Sequence, residues 1–297
     1  MSRSYKATGI NLKGMPLGET DRLLTILTVE RGLIRVIAPG ARKHKSRLAG
    51  RSSQFVVNEL FIVQGKQLDK LVQAETVRSF PALATDLAKL TASQYLAELA
   101  LCQALMGQPQ AELFALLVEH LQRLETATNS AVLACLSQGI FHLLALAGVA
   151  PEVRRCSVSQ VKIVPDFTQP DWRIEFNPVS GGIVSLNQSS PSKVDKPLKK
   201  DRYTVRDGGH TSRYGRSQTP KATLITALEL TLLQQLGQQE LISSQPAIGL
   251  TADSEKTTLL WQRIERLLRQ YAEHHFDRPI RSATLMDVCF PIAVPSE

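Results

Sequence analysis

"RLLTILTVERGLIRVIAPGA", residues 22–41, decides the fold of the N-terminal part of this 297-residue chain. Branched and aliphatic residues fill both halves, and "ERG" separates them, a hairpin signal. Further strand signals lie on either side. "YKATGINL" precedes the hairpin, and "FVVNELFIVQ" and "LDKLVQAETVRSF" follow it. About five short strands in about 80 residues predict a small closed barrel or sandwich. An OB-type barrel fits, although spacing alone does not separate it from other small barrels.

The texture changes at Pro81. "PALATDLAKLTASQYLAELALCQALMG" carries apolar residues at helical spacing and stops at Gly107 and Pro109. "AELFALLVEHLQRLETA" predicts a second helix, and "NSAVLACLSQGIFHLLALAGVAP" a third, with Asn129 or Ser130 as N-cap and Pro151 as terminator. "KATLITALELTLLQQLG" and "SEKTTLLWQRIERLLRQYAEHHF" predict two more helices, and the tail from Arg278 reads as extended. The fold class expected is α+β: a barrel over 1–80, a helical domain from 81–155 and 221–297, and an irregular insertion at 156–220.

Charge is uneven. The chain carries a formal net charge of +8, and residues 1–80 hold 14 Lys/Arg against 6 Asp/Glu, the whole of that excess. Such a balance favours an anionic partner. The densest run is "GARKHKSRLAGRSSQF" (40–55), with Arg42, Lys43, Lys45, Arg47 and Arg51 and no acid between Arg31 and Asn58. A solvated loop is the plain alternative. The missing acids, the flanking strands and the small residues that admit phosphates to backbone N–H groups favour phosphate binding, with Arg31 and Arg35 as outer members. A second basic stretch, Lys193–Arg216, reads as a polar loop that adds non-specific affinity or only solubility.

Chemistry-bearing motifs are missing. The sequence has no GxSxG, no P-loop and no GxGxxG. His274 and His275 are adjacent, so on a helix they diverge and do not form the i, i+4 pair that shares zinc. The four cysteines form no CxxC pair, which suits a reducing cytosol, and no run reaches the roughly 18 apolar residues of a membrane span. A cytoplasmic, non-enzymatic protein without metal or cofactor is expected.

The motifs resemble those of the RecO family of bacterial DNA-repair and recombination mediators. "GETDR" (18–22), "PGAR" with "KSR" (39–42, 45–47) and "QAE" (73–75) fall in the family's order. "YLAELALCQALMGQPQAELFALL", "LLALAGVAPEVRRC" and "LLRQYAEHHFDRPIRS" are similar to its later segments. The resemblance implies an N-terminal OB-fold and a helical domain that often holds a zinc knuckle. It also implies binding of single- and double-stranded DNA, strand annealing, partnership with RecR and the tail of the single-stranded DNA-binding protein, help in loading RecA, and a place on the nucleoid. Of four zinc cysteines only Cys156 is present, so the knuckle is degenerate. The helical part, neutral to acidic, is the expected protein-docking half, with Arg123, Arg154 and Arg155 its nearby cations. The alternative is a general single-stranded RNA- or DNA-binding OB module without a mediator role.

Overall fold

A computed structural model describes residues 4–186, 220–238 and 255–291. Two compact units divide the chain: Met1–Ala150 with Gln235–Arg269 and Pro279–Glu297, and Pro151–Gln234 with Gln270–Arg278.

The first unit opens with a closed barrel in the order β1-β2-β3-β5-β4. Its strands are β1 (Ser4–Leu17), β2 (Asp21–Thr28), β3 (Gly32–Ala38), β4 (Val57–Val63) and β5 (Asp69–Arg78). The opening hairpin forms as the alternation predicts. Leu24 and Ile26 on β2, and Val36 and Ala38 on β3, point inward beside Leu60, Ile62 and Leu71. Burying such a side chain contributes about 1.5–3 kcal/mol, so the inward parity fixes the register. β1 serves two neighbours: its first half pairs with β4, its second with β2, and a bulge at Asn11–Lys13 lets it turn the corner. A short parallel contact, Val36 with Asp69 and Ile37 with Lys70, closes the barrel.

The hairpin turn seats the barrel on helices α2 (Leu87–Gln103) and α3 (Ala111–Thr126). Leu33 N–H donates to Leu105 O at 2.8 Å, Gly107 N–H to Arg31 O at 3.0 Å, and Gln110 N–H to Val29 O at 2.9 Å. Gly32 has φ +62°, and a Cβ there would lie 2.1 Å from Leu105 O. Only glycine allows so close an approach. Asp86 caps α2, its Oδ1 accepting from Lys89 N–H at 2.8 Å.

Helix α4 (Val132–Leu146) packs against α2 and α3. Asn129 and Ser130 lie in a preceding 3-10 turn, so Ala131 takes the N-cap place without a side-chain bond, contrary to the sequence expectation. The helix also ends before Pro151: Gly148, at φ +73°, closes it, and Val149 N–H donates to Leu144 O. Asn129–Leu146 averages a hydropathy of 1.5 over 18 residues, enough by length and composition for a membrane span, contrary to the sequence expectation that no run reaches one. Leu133, Leu136, Ile140 and Leu144 are buried within the unit, the pattern of a core helix. The extended tail is likewise corrected: Ala283–Cys289 forms helix α7, docked on α2, where Glu98 accepts from Ser282 N–H at 2.9 Å.

In the second unit, β6 (Arg173–Asn177) pairs with β7 (Gly182–Val184) and with β8 (Thr223–Thr226). β8 falls inside the stretch expected to be wholly helical. "TLIT" pairs with β6, and α5 (Ala227–Gln235) starts only after it. Phe176 packs on Tyr271, ring centroids 5.8 Å apart, near the end of α6 (Glu255–His275). His274 and His275 form the last turn of that helix.

Candidate nucleic-acid interface

The basic run leaves β3 at Pro39 and reaches β4 at Val57 through a series of turns and a four-residue helix, α1 (Leu48–Arg51). It is held at three points. Gly40 adopts φ +63° and donates its N–H to Asp21 Oδ1 at 2.7 Å. Arg42 N–H donates to Thr20 O at 2.8 Å, and its guanidinium to Gly18 O at 2.9 Å. At the far end, Asn11 and Asn58 amides donate to Arg51 O at 2.7 and 2.9 Å. Buried Asn11 and Asn58 thus tie the loop to β1 and β4, while the β1–β2 turn ties its start.

This anchoring orients the cations outward. Arg42, Lys43, His44, Lys45 and Arg47 are exposed, and Arg51 is half-buried. Among the described residues, no side-chain hydrogen bond or ion pair holds Lys43, Lys45 or Arg47. Asp21 is engaged by the Gly40 N–H and the Thr20 hydroxyl. The Gly40 N–H and then the Thr20 hydroxyl hold its carboxyl below the usual carboxylate range, with Lys43 and Lys70 adding to the effect. Lys43 and Lys70 thus both act on the Asp21 carboxylate.

The structure separates the sequence-predicted residues into groups. Arg42, Lys43, Lys45, Arg47 and Arg51 share the loop, and Arg35 stands exposed on the outer face of β3. Arg31 is elsewhere. It lies in the β2–β3 turn, beyond the opposite end of a seven-residue strand, about 20 Å long. There its guanidinium covers the Tyr5 ring at 4.0 Å. Lys193–Arg216 lies outside the described residues.

Three cations were missed. Arg22, in "GETDR", donates to Ser52 Oγ at 3.1 Å and braces the end of the basic run. Lys13 and Lys70 flank Arg35 on the outer face, through Thr25 and Ile37 respectively. The motif could have pointed to Arg22. Lys13 and Lys70 emerge only once strand register is known. The barrel has an opposite character on the β1–β4–β5 wall, where a groove of about 540 Å³ is lined by Lys6, Glu30, Glu59, Phe61 and Glu75. Three carboxylates there repel phosphate.

The residues around Cys156 do not fit a zinc ion. Its Sγ accepts the N–H groups of Ser159 at 3.5 Å and Ser185 at 3.4 Å. Burial raises the thiol's pKa, but hydrogen bonds from Ser159 and Ser185 outweigh it and bring it down to about 7. Serines stand where further thiolates would be needed, and hydroxyls are poor zinc ligands. Among the described residues no three His, Cys, Asp or Glu side chains converge. Of the cations expected to serve docking, Arg123 binds Glu119 and Gln138, and Arg154 donates to Gln234 O at 3.1 Å.

Comparison with known proteins agrees with the barrel and the helices that follow it. Residues 1–80 match the family model for the recombination protein O N-terminal region, and residues 84–199 match that for its C-terminal region. A protein of Gloeothece citriformis named DNA repair protein RecO is 50% identical over 98% of this chain and 99% of its own length. Proteins of the same name from a Nostoc species and from Gloeobacter violaceus are 48% and 41% identical, over 98% and 99% of this chain and 97% of their own lengths in both cases. A barrel with an anchored cationic loop, matched along its length by these relatives, places the chain in the RecO family of DNA repair and recombination proteins.

Proposed function

We propose that this protein binds DNA through the loop at 40–51 and Arg35, and uses that surface to bring complementary strands together. The observation that carries the reading is the loop itself: exposed cations, free of acids, on a backbone pinned at both ends. Two strands repel through their phosphates. A surface that neutralises both lowers that repulsion, and base pairing then supplies specificity. The protein's work is charge neutralisation, with no chemical active site and no metal or cofactor.

In the cell the reading extends to strands coated with the single-stranded DNA-binding protein, to partnership with RecR, and to help in loading RecA. The family membership supports these roles. The helical layer of the first unit is the candidate contact for the tail of the single-stranded DNA-binding protein.

Annealing of two complementary oligonucleotides, without ATP or added metal, tests the reading. Acceleration that fades as salt rises supports it. Nucleic-acid binding without any acceleration at low salt would favour a general single-stranded RNA- or DNA-binding module without a mediator role.

A further inference from the structure

The second unit carries a short hairpin that extends its sheet beyond β7. Residues 152–157 run alongside β7: Glu152 N–H donates to Gly181 O and Ile183 N–H to Glu152 O, both at 2.9 Å, and Ser157 N–H to Ile183 O at 2.8 Å. Residues 161–164 return antiparallel to them. Cys156 N–H donates to Val161 O and Ile163 N–H to Arg154 O, both at 2.9 Å. The tip is held shut: Gln160 takes φ +61°, and the buried Cys156 Sγ accepts from Ser159 N–H in the turn and from Ser185 N–H after β7. Gln234 Nε2 braces the base, donating to Val153 O at 2.8 Å. Val161–Val164 is therefore a fixed edge. Lys162 stands opposite Arg155 as a non-hydrogen-bonded pair, so its own N–H and C=O point away from the sheet, and those of Val164 follow two residues on. Among the described residues none of these groups has a hydrogen-bond partner.

Alternation gives this edge two unlike faces. Lys162 and its neighbour Arg155 are exposed on one, and Val161, 60% exposed, lies with Ile163 on the other. Among the described residues no side-chain bond or ion pair holds either cation. No acid occurs from Ser157 to Pro165, and the flanking carboxyls are occupied. Glu152 accepts the Arg154 and Arg155 N–H groups, and Asp166 accepts from Thr168 and Gln169. We propose that this edge docks an extended segment of a partner protein, one that alternates acidic and apolar residues, as an added strand. The backbone decides for a peptide: a phosphodiester accepts from N–H groups but donates nothing to the Lys162 and Val164 carbonyls. Charge decides which peptide. A second copy of this chain would set Lys162 and Arg155 against their like, and an edge lysine opposes such self-pairing. The chain's own Lys193–Arg216 stretch holds eight cations against Asp195, Asp201 and Asp207, so it too is repelled. An acidic–apolar strand meets opposite charge on one face and Val161 with Ile163 on the other. Pro165, which has no N–H, ends the edge and keeps the added strand short.

Fluorescence anisotropy with the full-length protein and a short labelled peptide of alternating Glu and Val tests the proposal. Wild type should bind this peptide, and should bind its Lys–Val counterpart, or the Glu–Val peptide N-methylated along its backbone, about tenfold more weakly. Val164→Pro removes an outward N–H that holds nothing in the protein, so melting temperature should not change while affinity for the Glu–Val peptide falls about tenfold. Lys162→Glu should lose the Glu–Val peptide and gain the Lys–Val peptide, an exchange that a misfolded edge would not produce. The basic loop of the barrel is a rival site for any acidic peptide. Lys43→Ala/Lys45→Ala/Arg47→Ala should therefore bind the Glu–Val peptide as wild type does, whatever it does to DNA. Loss of the peptide in that variant would place it on the loop and overturn the proposal. No binding of the Glu–Val peptide, equal binding of the Glu–Val and Lys–Val peptides by wild type, or full affinity in Val164→Pro would also overturn it. So would loss of oligo-dT binding by Val164→Pro with peptide binding intact, which would assign the edge to nucleic acid.

Discussion

Replacing Lys43, Lys45 and Arg47 with alanine removes three charges and no internal bond, since no other described side chain holds them. The loop path depends instead on Asp21, Asn11 and Asn58, which remain. The change is therefore electrostatic. Six cations contribute in the wild type: Arg35, Arg42, Lys43, Lys45, Arg47 and Arg51. With one phosphate each, the log–log salt slope for a single strand is about −4. Raising salt from about 50 to about 200 mM then weakens binding about 300-fold. Three remaining cations give a slope of about −2, and the same salt step weakens binding about 20-fold. Anisotropy titrations at four salt concentrations measure both slopes. The loss should be uniform across sequences, because phosphates carry no base identity. A variant slope equal to that of wild type would refute the assignment of these side chains to phosphates.

Three further predictions concern the scaffold. His120 is buried and meets His142 at 3.0 Å, and burial, with the neighbouring histidine and Arg123, holds its pKa down to about 3. The neutral form is stabilising above the unfolded value of about 6.5, so stability should fall as pH drops below it, by about 1.4 kcal/mol per pH unit. In denaturant titrations His120→Leu should flatten that fall between about pH 6 and about pH 5, and parallel curves would contradict it. Arg269 bridges buried Glu265 at 2.7 Å and Asp287 at 2.9 Å, so Arg269→Met strands a carboxylate and should cost about 3–5 kcal/mol in chemical denaturation. Gly32→Ala meets both a positive φ and Leu105 O, and should cost more than about 2 kcal/mol, read the same way.

Local pattern carried much of this structure, and its failures have physical causes. The β2–β3 hairpin was legible because alternation, branched residues and a glycine turn agree there. Thr223–Thr226 was not, because four residues ahead of an Ala- and Leu-rich run share its apolar character. Only pairing with β6 makes them a strand. Ala283–Cys289 looked extended beside its prolines, yet packing on α2 and the Glu98 cap make it helical. In the site, the loop cations were legible because they are adjacent in sequence. Lys13 and Lys70 were not, because only strand register brings them beside Arg35. Arg31 shows the converse: close in sequence to Arg35, it is carried to the other end of the strand and placed on Tyr5.

The central claim is that an anchored cationic surface joins DNA strands by neutralising their phosphates. Annealing of complementary oligonucleotides, each coated with single-stranded DNA-binding protein, followed across a salt series with wild type and the Lys43→Ala/Lys45→Ala/Arg47→Ala variant, tests it most directly. The account predicts acceleration by wild type that fades as salt rises, and a smaller, less salt-sensitive acceleration by the variant. No acceleration by wild type at low salt, with DNA binding intact, would contradict it.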